Sequence, residues 1–211
     1  MDEFTPNEEL LEKNKNSKKF ICTQCGECCH IREKKNVSLE EEKKYFNYMY
    51  YSFGIIYLSK LQDITINIWP EEKDLLEKEA KNLGIKIKIL PKRCFYNSEQ
   101  GELVIIDYYI DHDICPFFKK NLCIIYDKRP LICKSYPLLT ENNLGKCIYK
   151  KNTPDAHVDE MPFAKRNDYR IKTIKNKLIE LKEKKIIDTS IPIEKILQKK
   201  LKIKELRINT I

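Results

Sequence analysis

Eight cysteines stand at spacings that could hold metal, and they fall into two groups. The first is tight: Cys22-Thr23-Gln24-Cys25-Gly26-Glu27-Cys28-Cys29, a C-x-x-C step taken twice with a fourth thiol added. A two-residue gap lets a tight turn aim both sulfurs at one ion, and Gly26 stands where such a knuckle needs a residue without a Cβ. Neighbouring side chains point apart, so Cys28 and Cys29 argue for a dinuclear site or for two adjoining ones. The second group, Cys115, Cys123, Cys133 and Cys147, is looser, with gaps of seven, nine and thirteen residues. Eight thiols suffice for two four-coordinate centres.

Thiolates ligate zinc, and they are the usual ligands of iron–sulfur clusters. Three local cysteines with a remote Cys115-Pro116 match the ligand spacing of a 4Fe-4S site, while eight thiols with an adjacent pair suit zinc equally. The metal is therefore zinc or iron. Cys94, the ninth cysteine, reads equally as a ligand or a plain core thiol. His30, His112 and His157 form no H-x3–5-H pair and are set aside as surface or core residues. Buried cysteine also serves as a small hydrophobe, a reading that weighs more on the second group than on the first.

Composition excludes several classes. The five glycines make neither a G-x-G-x-x-G nor a P-loop pattern, so no nucleotide-phosphate loop is expected. No stretch reaches the ~18 apolar residues of a membrane span, and residues 1–4 do not open a secretory leader. The expectation is a cytoplasmic chain with no membrane partner, where spaced cysteines favour metal over disulfides. The net charge of +8 is uneven. Residues 164–211 hold fifteen Lys and Arg against six Asp and Glu, giving +9 and leaving the remainder at −1.

The elements that position the cysteines follow from pattern. Ser38 with Glu41 is a capping box opening a helix, and residues 64–68 alternate as a strand. Residues 71–82 read as a helix with Leu75, Leu76 and Leu83 inward and Gly84 as its stop. A hairpin over 85–110 turns at 97–101. A short helix follows over 131–136, and Pro137 closes it. Ile171, Ile174, Leu178 and Leu181 form an amphipathic stripe. Ser190 and Pro192 start a second short helix, and residues 201–208 end as a frayed helix or an edge strand. The fold class is α+β: a small cysteine-knuckle body of short antiparallel strands and helices, with a basic helical segment after it. The division is 1–18 as a flexible polar lead-in, 19–160 as the cysteine domain, and 161–211 as a separable basic tail.

The run Phe20-Ile21-Cys22-Thr23-Gln24-Cys25-Gly26-Glu27-Cys28-Cys29, then Cys115-Pro116-Phe117, then Cys123-Ile124-Ile125-Tyr126-Asp127-Lys128-Arg129-Pro130-Leu131-Ile132-Cys133-Lys134-Ser135-Tyr136-Pro137, resembles the CxxCxxCC cysteine-cluster proteins. These are also called YkgJ-like and are described as zinc- or iron-chelating. The resemblance covers residues 20–147 and implies metal chelation without assigning an activity. A related cluster in the flagellin lysine N-methylase keeps a protein-modifying enzyme as one alternative. A nucleic-acid adaptor acting through the basic tail is another, weakened by the lack of interleaved aromatics and the scarcity of arginine. A protein partner also stays open. Arg129 reads as a cation placed to offset a thiolate-rich centre.

Overall fold

The computed structural model describes residues 7–34, 36–61, 63–140, 143–145 and 147–207. Helix α1 (Glu8–Asn16) starts at Asn7, whose side-chain oxygen accepts the Leu10 amide, and Glu8 and Glu9 meet the positive end of the helix dipole. Part of the lead-in expected to be flexible is thus a capped helix. Strand β1 (Arg32–Lys34) precedes α2 (Leu39–Phe53). Both halves of the capping box form: Ser38 Oγ accepts the Glu41 amide, and Glu41 accepts the Ser38 amide at 2.9 Å. Gly54 ends α2 at φ +70°.

Strands β2 (Ile56–Tyr57) and β3 (Asp63–Thr65) lead to α3 (Pro70–Asn82). On α3 the inward positions are Leu76 and Ala80, each 1% exposed, while Leu75 and Leu83 face solvent. The four-residue step from 76 to 80 keeps one face, whereas Leu75 lies about 100° around the helix and Leu83 lies past its end.

Strands β4 (Ile89–Asn97) and β5 (Glu102–Ile110) form the expected hairpin, but its first strand begins at Ile89. Ile89 already faces Ile110, the last residue of β5, so residues 85–88 have no strand residue opposite. A two-residue hairpin of β6 (Phe118–Lys119) and β7 (Leu122–Cys123) turns through Lys120 and Asn121, both at positive φ as a primed turn demands. Then come α4 (Leu131–Ser135), the pair β8 (Leu138–Thr140) and β9 (Asn143–Leu144), α5 (Met161–Glu183), α6 (Ile193–Leu197) and β10 (Lys202–Glu205). The helices with short, mostly antiparallel strands make the fold α+β. No helix among the described residues is long and apolar enough to cross a membrane.

The chain packs as two units that interleave along the sequence. One comprises Met1–Ile31, Glu77–Ile87 and His112–Arg170, and it contains all eight candidate ligands. Phe117, Leu138 and Ala164 are fully buried in it. The other comprises Arg32–Leu76, Lys88–Asp111 and Ile171–Ile211. Its sheet runs β10-β5-β4-β2, with β10 parallel to β5 and the remaining pairs antiparallel. Its core gathers Ile55, Trp69, Phe95, Val104, Ile106, Ile174, Leu178 and Ile187. Ile174, Leu178 and Ile187, which lie in the basic segment, are part of this core. Ile171, expected in the stripe, is 41% exposed. Residues 202–205 are an edge strand, and Ile208 lies outside the described residues.

Candidate metal centre

Backbone pairing brings the two cysteine groups together. Gly26, at φ +82°, opens a single 3-10 turn over Glu27–Cys29, closed by the Cys29 amide on the Gly26 carbonyl at 2.8 Å. The chain then zips to the second group. The Cys115 amide donates to the Cys29 carbonyl at 2.8 Å, the Ile31 amide to the Asp113 carbonyl at 3.1 Å, and His30 bridges Ile114 antiparallel. Cys123 ends the β6–β7 hairpin, and Cys133 lies on α4, which Pro130 starts. Pro fits there because it cannot donate and holds φ near a helical value. Gly145, between β9 and Cys147, lies so close to Tyr136 and the Pro137 carbonyl that an added Cβ would stand 2.9 Å from that oxygen.

A recurrent local device holds the sulfurs. The amide two residues on from Cys22, Cys115, Cys123 and Cys147 donates to that residue's sulfur: Gln24, Phe117, Ile125 and Tyr149 respectively. Such N–H···S bonds favour the thiolate and fix the turn around it. Gln24 takes a positive φ of 54° to make its bond.

Cys28 sits at the electrostatic middle. Charge on Cys28 disfavours ionisation at Cys22, Cys29, Cys115, Cys123, Cys133 and Cys147. Around it the others sort into two sets. Cys147 is influenced by Cys25 and Cys22, while Cys115 is influenced by Cys123, Cys133 by Cys115 and Cys123, and Cys29 by Cys115 and Cys133. The Cys29 thiol donates to Cys28, and this bond with the Arg129 charge lowers Cys28 to about 7. Burial pushes Cys115 and Cys147 up to about 11, and it pushes Cys133 and Cys22 upward too. Crowded, desolvated thiols of this kind resist ionising together unless a cation joins them.

Arg129 supplies one cation. Its guanidinium stacks 3.6 Å from the Tyr126 ring centroid, and its Nε donates to the Tyr126 carbonyl at 2.9 Å. Its charge favours the thiolates of Cys22, Cys28, Cys123 and Cys133. Cys94 lies on β4 in the other unit, opposite Ile56, with no exposure. Burial and then Asp107 push its thiol up to about 12, so it is a core thiol of the sheet.

Sequence reasoning passed over Asn14 and placed His157 only as a surface or core residue. Asn14 is buried, accepts the Ile21 amide at 3.2 Å and donates to the Tyr149 carbonyl at 3.0 Å, thereby tying the chain beside Cys22 to the chain beside Cys147. No local signal marks it, because both partners are remote in sequence or lie outside its helix. His157 is fully buried against Phe20, its Nε2 facing the Lys151 carbonyl at 3.3 Å and its Nδ1 3.7 Å from Glu160. His30 is exposed and His112 half-buried.

Among the described residues no three cysteine, histidine or carboxylate groups already form a set that would hold an ion. The donor chemistry nevertheless fits zinc or iron: eight thiols in one unit, four with amide-supported sulfurs, and one cation beside them.

A thiol-rich fold of this make-up defines a metal-chelating cysteine module. The chain belongs to the CxxCxxCC family, described as a putative zinc- or iron-chelating domain, whose model matches residues 21–161. No curated protein and no solved structure matches the chain.

Proposed function

We propose that the eight cysteines chelate zinc or iron as two adjoining sets. Cys22, Cys25 and Cys147 form one, Cys29, Cys115, Cys123 and Cys133 form the other, and Cys28 stands between them. The observation that carries this reading is the position of Cys28, whose charge is felt by six of the other seven candidate ligands. A bound cation supplies the positive charge that lets these thiols ionise together, and it cross-links segments distant in sequence. The chain's own residues supply the rest: turn amides at four sulfurs, the Arg129 charge, and the Asn14 tie. The role is structural, holding residues 20–31 against residues 112–149. A reducing, cytoplasmic setting suits it, since a thiolate must stay unoxidised to ligate.

The test is elemental analysis with an absorption spectrum on protein purified without oxygen. Two zinc ions in a colourless protein, or chelated iron without sulfide, support this reading. Iron with acid-labile sulfide replaces it with an iron–sulfur centre and moves redox or protein-modifying activity forward. Protein without metal refutes it.

A further inference from the structure

The second unit contributes none of the eight candidate ligands, yet it carries two adjoining cavities. The first, about 200 Å³, is lined by Tyr57, Ser59, Lys60, Asn67, Lys92 and Arg93. None of the described residues lining it is acidic. Consecutive strand residues normally point to opposite faces, but the β4–β5 register shifts on either side of Arg93, a bulge that lets Lys92 and Arg93 line one chamber. Lys92 Nζ donates to Asn67 Oδ1 at 2.6 Å, and burial lowers its ammonium to about 8. Arg93 is held from behind by the fully buried Asp107, whose two oxygens each lie 3.0 Å from Nε. Asp107 thus holds Arg93 in place, and Lys60, Lys92 and Arg93 give the chamber three basic side chains.

The second cavity, about 360 Å³, is apolar, with Met49, Phe53, Trp69, Ile106 and Leu178 in its walls. Trp69 and Ile106 are 1% exposed and make its floor, and Lys175 lies over the Phe53 ring at its edge. Tyr45 and Arg93 line both cavities, so the basic chamber and the apolar groove meet at that pair. The larger one falls within the size range of ligand sites, and a few convergent polar groups beside an apolar wall are what such sites need.

We propose that this unit binds a small organic anion with an apolar body. A carboxylate or phosphate headgroup meets Lys60, Lys92 and Arg93, and an alkyl or aryl body lies along Trp69, Phe53 and Leu178. The site is independent of the metal centre, and its occupant is chosen by charge complementarity at one end and apolar surface at the other. A carboxylate or phosphate replaces water around cations that are already costly to keep buried, and each charge-assisted bond it makes exceeds a neutral one.

Trp69 is the chain's one tryptophan and reports on the groove. The intact protein is titrated with decanoate and with decyl phosphate below their micelle concentrations, and with decanol and decyltrimethylammonium as uncharged and cationic counterparts. Tryptophan emission should change saturably with at least one anion, about tenfold or more weaker with decanol, and not with the cation. The better of the two anions names the headgroup. Lys92→Gln should weaken anion binding about tenfold and leave decanol unchanged. Lys60→Gln gives the same reading if the first variant fails to fold. Equal affinity for decanol, no saturable response, or full anion affinity in a folded Lys92→Gln protein overturns the proposal. So does a loss confined to Lys175→Gln, which would put the headgroup at the other end.

Discussion

Asn14→Ala tests whether the cluster depends on a tie from outside the motif. The side chain is 7% exposed and makes two bonds, one to the amide of Ile21 and one to the carbonyl of Tyr149. Leaving a partly buried amide or carbonyl without its partner costs about 1–3 kcal/mol each, so the variant should lose about 2–6 kcal/mol of stability. The loss falls beside Cys22 and Cys147, where opening releases an ion. Since 1.36 kcal/mol is tenfold in rate, about 2 kcal/mol felt at that opening speeds metal release about 30-fold. The assay strips the bound ion with excess chelator and follows release, beside urea unfolding of the same metal-loaded protein. Asn7→Ala is the control: it removes the side-chain cap of α1, worth ~1 kcal/mol, and keeps the Asn7 amide's bond to the Thr23 carbonyl. If Asn14→Ala releases metal no faster than Asn7→Ala, the tie has no part in holding the site.

The remaining expectations divide between the units. Cys25→Ser should lose metal and lower the melting temperature, whereas Cys94→Ala should keep its full metal content, both read by elemental analysis and thermal unfolding. Arg129→Ala should weaken metal affinity in a competition titration, because a cation favouring four thiolates is gone. Gly54→Ala places a Cβ 2.2 Å from Ile187 Cγ2 at a φ of +70°, so strain and overpacking should cost about 2–4 kcal/mol in urea unfolding without loss of metal. Lys92 is lowered to about 8 from an ordinary value of 10.5. Between those values the unfolded chain holds a proton that the folded chain has released, so this group adds stability as pH rises through that window. Lys92→Met should be more stable than the parent at pH 7, and its advantage should shrink between pH 8 and pH 10.

Local devices were legible in the sequence. The Ser38–Glu41 capping box, the turn at 97–101, the Gly84 stop and the Pro192 start each involve residues a few positions apart, and each forms. The first cysteine group stands out for the same reason, as Cys22, Cys25, Cys28 and Cys29 fall within eight residues, whereas the second group is spread over residues 115–147. Patterns whose meaning depends on a remote partner were not. Residues 85–87 alternate like a strand but find none opposite, because β5 ends at Ile110. Leu75 and Leu76 are equally apolar, and only the packing selects Leu76. The basic segment stands out by charge, while the core that its Ile174, Leu178 and Ile187 join is assembled from residues 55–187. Its last strand runs parallel to β5, a pairing that no local pattern announces.

The interleaving of the units has a consequence in time. Between Ile31 and His112 most of the chain belongs to the other unit, so the four thiols of residues 22–29 are synthesised well before their partners. Cys147 lies 118 positions after Cys29, and at about 5–20 residues per second the first knot waits roughly 6–24 s for the last candidate ligand. During that wait the early thiols are half a chelator, open to any soft metal ion or oxidant nearby. In the proposed site, the ions at hand during synthesis thus meet the early thiols before the finished site can choose among metals.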